Sequence, residues 1–174
     1  MNWQVNPYVI ILFFSTAISL GLALYSFNRR HAPGAKPFMI LAIAIATWSF
    51  EYAMQLGRTD LAGKLIWIKL QYISIGILAV SWFVFSFEYT KQQYGLKLSR
   101  LVLLSIIPAY TVFLAFSSDY HGLIMNNIGL DMTGAFPVIK RNFGSGFWLF
   151  ASYCYLLLFL GSFLIVKSLF QNRE

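Results

Sequence analysis

Two ionisable side chains, Glu51 and Lys69, stand inside apolar runs where charge is costly. The first run covers residues 38–56 and is interrupted only by Glu51 and Gln55; the second covers 65–89 and holds Lys69. A run of 25 residues is roughly 37 Å long as a helix, enough to cross a bilayer with some tilt. The short connection 57–63 makes the two runs an antiparallel hairpin. Counted from the loop, Glu51 and Lys69 fall at similar depth. A charge held in lipid costs several kcal/mol unless paired or hydrated, so the expectation is an ion pair between them. Helical spacing gathers Trp48, Glu51, Tyr52 and Gln55 on one face of the first run and Ala42, Ala46, Ser49 and Ala53 on the other. The small stripe admits a close helix, and the aromatic-polar stripe is expected to face the bundle interior. On the second run Lys69, Tyr72 and Gly76 share a face, with Trp67 and Gln71 on other faces at nearby depth. Three readings stay open for this layer: a pair that locks helix register, a ligand pocket walled by aromatics, or ion translocation. No further chain of acids or histidines exists to relay a proton. No serine–histidine–acid set, phosphate loop or metal-ligand spacing is present, so no cofactor, metal or catalytic role is expected. His31 and His121 fall on opposite sides of the expected membrane; His121, in the outer loop, is the one with a conceivable pH role.

The elements that must position these groups follow from composition. Of 174 residues, 59% are hydrophobic, 18% aromatic and 11% charged. Soluble domains carry about 25% charged residues, and a soluble fold of this size has no way to hide so much apolar surface. The expected fold is an all-α integral membrane protein, a single domain over 1–174, with spans at about 8–27, 38–56, 65–89, 101–117 and 147–166. Pro108 lies inside the fourth span, where a neighbour has to satisfy the carbonyl it frees. The loop 118–146 holds two apolar runs, 123–130 and 135–140, around Asp131-Met132-Thr133-Gly134, which reads as a short outer β-hairpin between the fourth and fifth spans. The net charge of +7 lies in loops and sets topology; it is no nucleic-acid signal. With the N-terminus outside, the inner side receives Arg29, Arg30, Lys36, Lys91, Lys97, Arg100, Lys167 and Arg173. The outer side receives only Arg58, Lys64, Lys140 and Arg141. The reading is therefore a multi-pass cell-membrane protein, N-terminus out and C-terminus cytoplasmic. The first span lacks a basic leader and a cleavage site, so it is read as retained. Trp67, Trp82 and Trp148 read as interfacial anchors, and Glu88 with Lys91 as a surface helix pair. The lone Cys154 excludes an internal disulfide.

The motifs in order are Pro33-Gly34-Ala35 with Phe38, then Trp48, Glu51 and Tyr52, then Trp67–Tyr72 and Trp82–Thr90. They continue with Ser118, His121 and Leu123, then Gly144–Trp148 and Ser152–Leu158. Together they resemble the seven-transmembrane N-terminal sensor region of bacterial and archaeal histidine kinases, here with five helices where that family continues into two more. The resemblance implies a sensory input domain without catalysis of its own, binding an unknown small molecule or sensing membrane state near the outer face. It also implies lipid contact and homodimerisation or coupling to cytoplasmic PAS and kinase modules. The rivals are a small transporter or channel subunit, a purely structural bundle, and a membrane-embedded enzyme.

Overall fold

A computed structural model describes residues 3–91, without the Lys91 side chain, and 96–171. Arg173 and the Lys91 side chain, which enter the charge count and the Glu88–Lys91 pairing, lie outside the described residues. The elements run α1 (Pro7–Asn28), α2 (Ala35–Gly57), α3 (Leu61–Lys91), α4 (Leu98–Phe116), α5 (Ser118–His121), β1 (Met125–Asp131), β2 (Val138–Phe143) and α6 (Ser145–Gln171). Among the described residues five helices are long and apolar enough to cross a membrane: α1, α2, α3, α4 and α6. Each expected span is found, and α3 is longer than expected because it starts at Leu61.

Local chemistry sets the helix ends. Asn6 caps α1 by accepting from the Val9 amide at 3.0 Å, with Pro7 in the first turn, where a missing N–H is harmless. Gly34 precedes α2 at φ +79°, a left-handed conformation that suits glycine. Asp60 caps α3: its Oδ2 accepts from the Gly63 amide at 2.7 Å, and its Oδ1 lies 2.8 Å from Nε of Arg58. The Arg58 guanidinium and that amide hold the Asp60 carboxyl below the ordinary carboxylate range.

The helix α3 packs against α2, α4 and α6, and α1 lies against α2. Close approach follows the small residues. Ala42, Ala46, Ser49 and Ala53 are buried, and Ser15 and Thr16 of α1 reach Ser49 Oγ at 3.1 Å and the Ala46 carbonyl at 3.5 Å. A Cβ on Gly76 would fall 2.8 Å from Cβ of Pro108, so that glycine lets α4 lie against α3. Gly161 of α6 makes room for Trp82, whose Nε1 donates to the Leu158 carbonyl at 3.2 Å. Trp82 is thus an α3–α6 packing residue and not the interfacial anchor expected of it. In α4, Pro108 cannot bond the carbonyl of Leu104, four residues back; Tyr153 of α6 donates its hydroxyl to that oxygen at 2.6 Å.

The strands β1 and β2 form an antiparallel hairpin with a bulge between Asn126 and Gly129, and Asn127 there takes φ +51°. The second strand begins at Val138, after Pro137, not at Ala135, since a proline has no amide for the ladder. Ser118 Oγ accepts from the Met125 amide and donates to the Met125 carbonyl, fixing the hairpin root to α5. Ile124 and Met125 join a core with Ile68, Tyr72, Leu114, Phe150 and Leu157. The hairpin's far end reaches α1: Gln4 Nε2 donates to the Ala135 carbonyl at 3.3 Å, and the Tyr8 and Phe136 rings lie 5.9 Å apart.

Candidate functional site

The polar residues of α2 and α3 meet in a ladder. Gln71 Nε2 donates to Gln55 Oε1 at 2.7 Å, and Ser74 Oγ donates to Glu51 Oε1 at 3.0 Å. Ser74 also exchanges a hydrogen bond with Thr47 at 3.0 Å. The rungs rise together because an antiparallel pair advances on one helix as it retreats on the other. At the closed end Lys64, only 1% exposed, donates to the Gln55 carbonyl at 3.0 Å. That carbonyl belongs to the last turn of α2, where a cation is favoured. Lys64, counted from sequence among loop cations, is therefore a buried group that ties the hairpin shut. Trp3 lies over Gly57, and the Gln4 amide bonds the Gly57 carbonyl at 2.7 Å, so the N-terminal segment covers this end.

The expected Glu51–Lys69 pair is not formed. Lys69 Nζ lies 2.7 Å from Oδ2 of Asp119, just past α4, and 3.5 Å from the Phe116 carbonyl. Both the depth and the azimuth of the two side chains differ from the expectation. Glu51 is level with Ser74, five residues and about 7.5 Å along α3 from Lys69. Lys69 also points elsewhere: two residues before Gln71, it is turned about 200° from the α2-facing side and faces α4. Glu51 keeps a single partner among the described residues; its second oxygen, Oε2, is buried without a hydrogen bond.

The other expected site residues divide. Gln55 is buried in the ladder, and Tyr72 is buried against Phe150 with ring centroids 5.7 Å apart. Trp67 packs edge-on against Phe50 at 5.9 Å. Trp48 and Tyr52 are exposed on the α2 surface, which corrects the expectation that the whole aromatic-polar stripe faces inward. With α1 on one flank and α3 on the other, only the polar half of that stripe meets a neighbour. His121 is exposed; its Nδ1 accepts from the Leu123 amide at 3.1 Å and its Nε2 lies 3.0 Å from Ser117 Oγ, so it shapes the turn into the hairpin. Its Nε2 is read as the protonated nitrogen on that network. A groove of about 430 Å³ lies instead between α2, α3 and α4, lined by Ile40, Ile77, Val84, Leu101 and Pro108, away from the ladder.

Sequence reasoning missed three members of this end of the bundle. Ser74 follows Gln71 by three residues, a helical spacing that was visible. Asp119 needed knowledge of where α4 stops. Arg141 alternates with exposed Lys140 on β2 and was legible only once the strand register was known.

No curated protein and no solved structure matches the chain. A family model does match, described as the N-terminal 7TM region of histidine kinase, over residues 11–174, and among the described residues five helices are long and apolar enough to span a membrane. The five apolar helices and that match make this a multi-pass membrane protein. With the match running over nearly its whole length, the chain belongs to the family of N-terminal seven-transmembrane regions of histidine kinases.

Proposed function

We propose that this chain is the membrane-embedded input of a histidine-kinase-type signalling system, reading a small ligand or the state of the membrane at its hairpin end. In this reading that end and the N-terminus face outward, and the far ends of α3 and α6 meet cytoplasmic modules. The residues assigned to the sensing layer are Trp48, Glu51, Tyr52, Gln55, Trp67, Lys69 and Tyr72. The observation that supports the layer most is Glu51: a carboxyl at an interhelical seam with one oxygen bonded to Ser74 and the other buried and unbonded. A buried acceptor without a partner is costly, so a packing that supplies one is favoured. A bound group or a bilayer change that favours one packing of α2 against α3 shifts the population of packings, and α6, also packed on α3, carries the shift onward. The groove between α2, α3 and α4 is lined mainly by apolar side chains, with Lys36 and Glu88 among its lining residues, and none of the ladder residues lines it, which supports input over a continuous polar path for transport.

The test fuses the chain in frame to the PAS and kinase modules of a family member and measures autophosphorylation in liposomes. Glu51→Gln and Lys69→Met are each expected to change output at unchanged protein level. Wild-type output and expression in both variants overturn the sensing layer. Solute flux through liposomes holding the purified chain favours the transporter instead.

A further inference from the structure

Alternate residues of a strand face opposite ways. On β2 Lys140 and Asn142 are exposed, whereas Ile139 packs on the core and Arg141 turns inward, half-buried. The Arg141 guanidinium lies 5.1 Å over the Phe143 ring, and its Nη1 is 4.0 Å from Sδ of Met125, a side chain 1% exposed. The phenols of Tyr72 and Tyr52 lie within electrostatic reach. Burial pushes the Arg141 guanidinium below its ordinary range.

The carboxylates at this end each hold another group, with one oxygen of Glu51 left unbonded. Asp60 holds Arg58 and the Gly63 amide, Asp119 holds Lys69, Asp131 holds Thr133, and Glu51 holds Ser74. Arg141 is thus a partly desolvated cation whose described partners are a thioether and an aromatic face. A guanidinium presents a planar fork matched to carboxylate and phosphate, and a half-buried one gains most from such a partner.

We infer that Arg141, with the hydroxyls of Tyr52 and Tyr72, binds an oxyanion headgroup, either the phosphate of a membrane lipid or the carboxylate of an amphiphile. The ring of Phe143 and the sulfur of Met125 flank the guanidinium, and the phenols of Tyr52 and Tyr72, within its electrostatic reach, would add hydrogen-bond donors. Tyr52, exposed on α2, leaves the site open to the bilayer side, where an apolar tail would lie. This inference deepens the sensory reading and rests on it for its meaning in signalling.

The test uses the full chain in phosphatidylcholine nanodiscs, followed by thermal unfolding. Decanoate and inorganic phosphate are titrated separately, and a parallel sample is prepared in phosphatidylglycerol nanodiscs. The expected result is stabilisation of the wild type by an anion source. Stabilisation by phosphatidylglycerol alone identifies a lipid headgroup, and stabilisation by decanoate identifies an amphiphilic carboxylate. Arg141→Gln is expected to weaken that response roughly tenfold or more, and the exposed neighbour variant Lys140→Gln to leave it unchanged. Arg141→Lys keeps the charge but loses the fork, and is expected to weaken the response with the wild-type unfolding profile; it decides the matter should the glutamine variant not fold. Equal responses in wild type and Arg141 variants, or no response to any probe, overturn the site. Should no anion bind while Glu51→Gln still alters the kinase fusion, this inference falls and the sensory reading stands. Anion binding through Arg141 with a fusion indifferent to Glu51 gives the reverse.

Discussion

At the scale of the residue, charge in this bundle is handled by short local bonds more than by one central pair. Lys69 and Asp119 are 2.7 Å apart, with side-chain exposures of 13% and 58%. An ion pair so placed is worth about 0.5–1 kcal/mol. A double-mutant cycle on Lys69→Met and Asp119→Asn, read by unfolding in detergent, is expected to return a coupling of that size, and a Lys69/Glu51 cycle a coupling near zero. The reverse ranking removes the present assignment of partners. Asp60 gives a pH prediction. Its carboxyl titrates below the ordinary 3.8 in the folded chain, held down by Arg58 and the Gly63 amide. Its contribution is therefore complete above pH 3.8 and fades as pH falls through the lower folded value. The unfolding temperature of Asp60→Asn is expected below wild type at neutral pH, with the gap closing under strong acid. A gap that widens on acidification contradicts the cap.

At the scale of the element, α4 shows how a proline survives inside a span. Pro108 leaves the Leu104 carbonyl unbonded in its own helix, and Tyr153 supplies the missing donor from α6 at 2.6 Å. Interhelical hydrogen bonds in membranes contribute about 0.6–1.7 kcal/mol. Tyr153→Phe is expected to lose about 1 kcal/mol, and to lose less in a Pro108→Ala background, where the backbone bond is restored. Equal losses in both backgrounds contradict the assignment. The glycines act at the same scale. Gly76→Val would drive a side chain into Pro108, whose Cβ already lies 2.8 Å from where the new Cβ stands. Overpacking of that kind costs about 1–3 kcal/mol and is expected to lower the unfolding temperature measurably.

At the scale of the molecule, hydropathy and periodicity make the spans, the small-residue face of α2 and the hairpin legible, because each depends on local pattern. The Ala42–Ala53 stripe reads correctly because a helix fixes its own azimuth. The partner of Glu51 does not, because it depends on the crossing of two helices and on where the loop closes. The rungs Gln55–Gln71 and Glu51–Ser74 are centred near residue 63 and not on the midpoint of the connection 57–63, so the level partner of Glu51 lies further along α3 than Lys69. Trp82 misleads for a related reason: proximity to a span end suggests an anchor, and only the approach of Gly161 turns the ring into a packing residue. Arg141 needs the strand register and the inward face together.

The proposed input role turns on Glu51 and Ser74, whose hydrogen bond joins α2 to α3. The direct measurement is autophosphorylation of the kinase fusion carrying Glu51→Gln, Ser74→Ala, or both. The account predicts that each single variant shifts output and that the double variant shifts it no further than the larger single effect. Additive effects, or wild-type output from all three, contradict it.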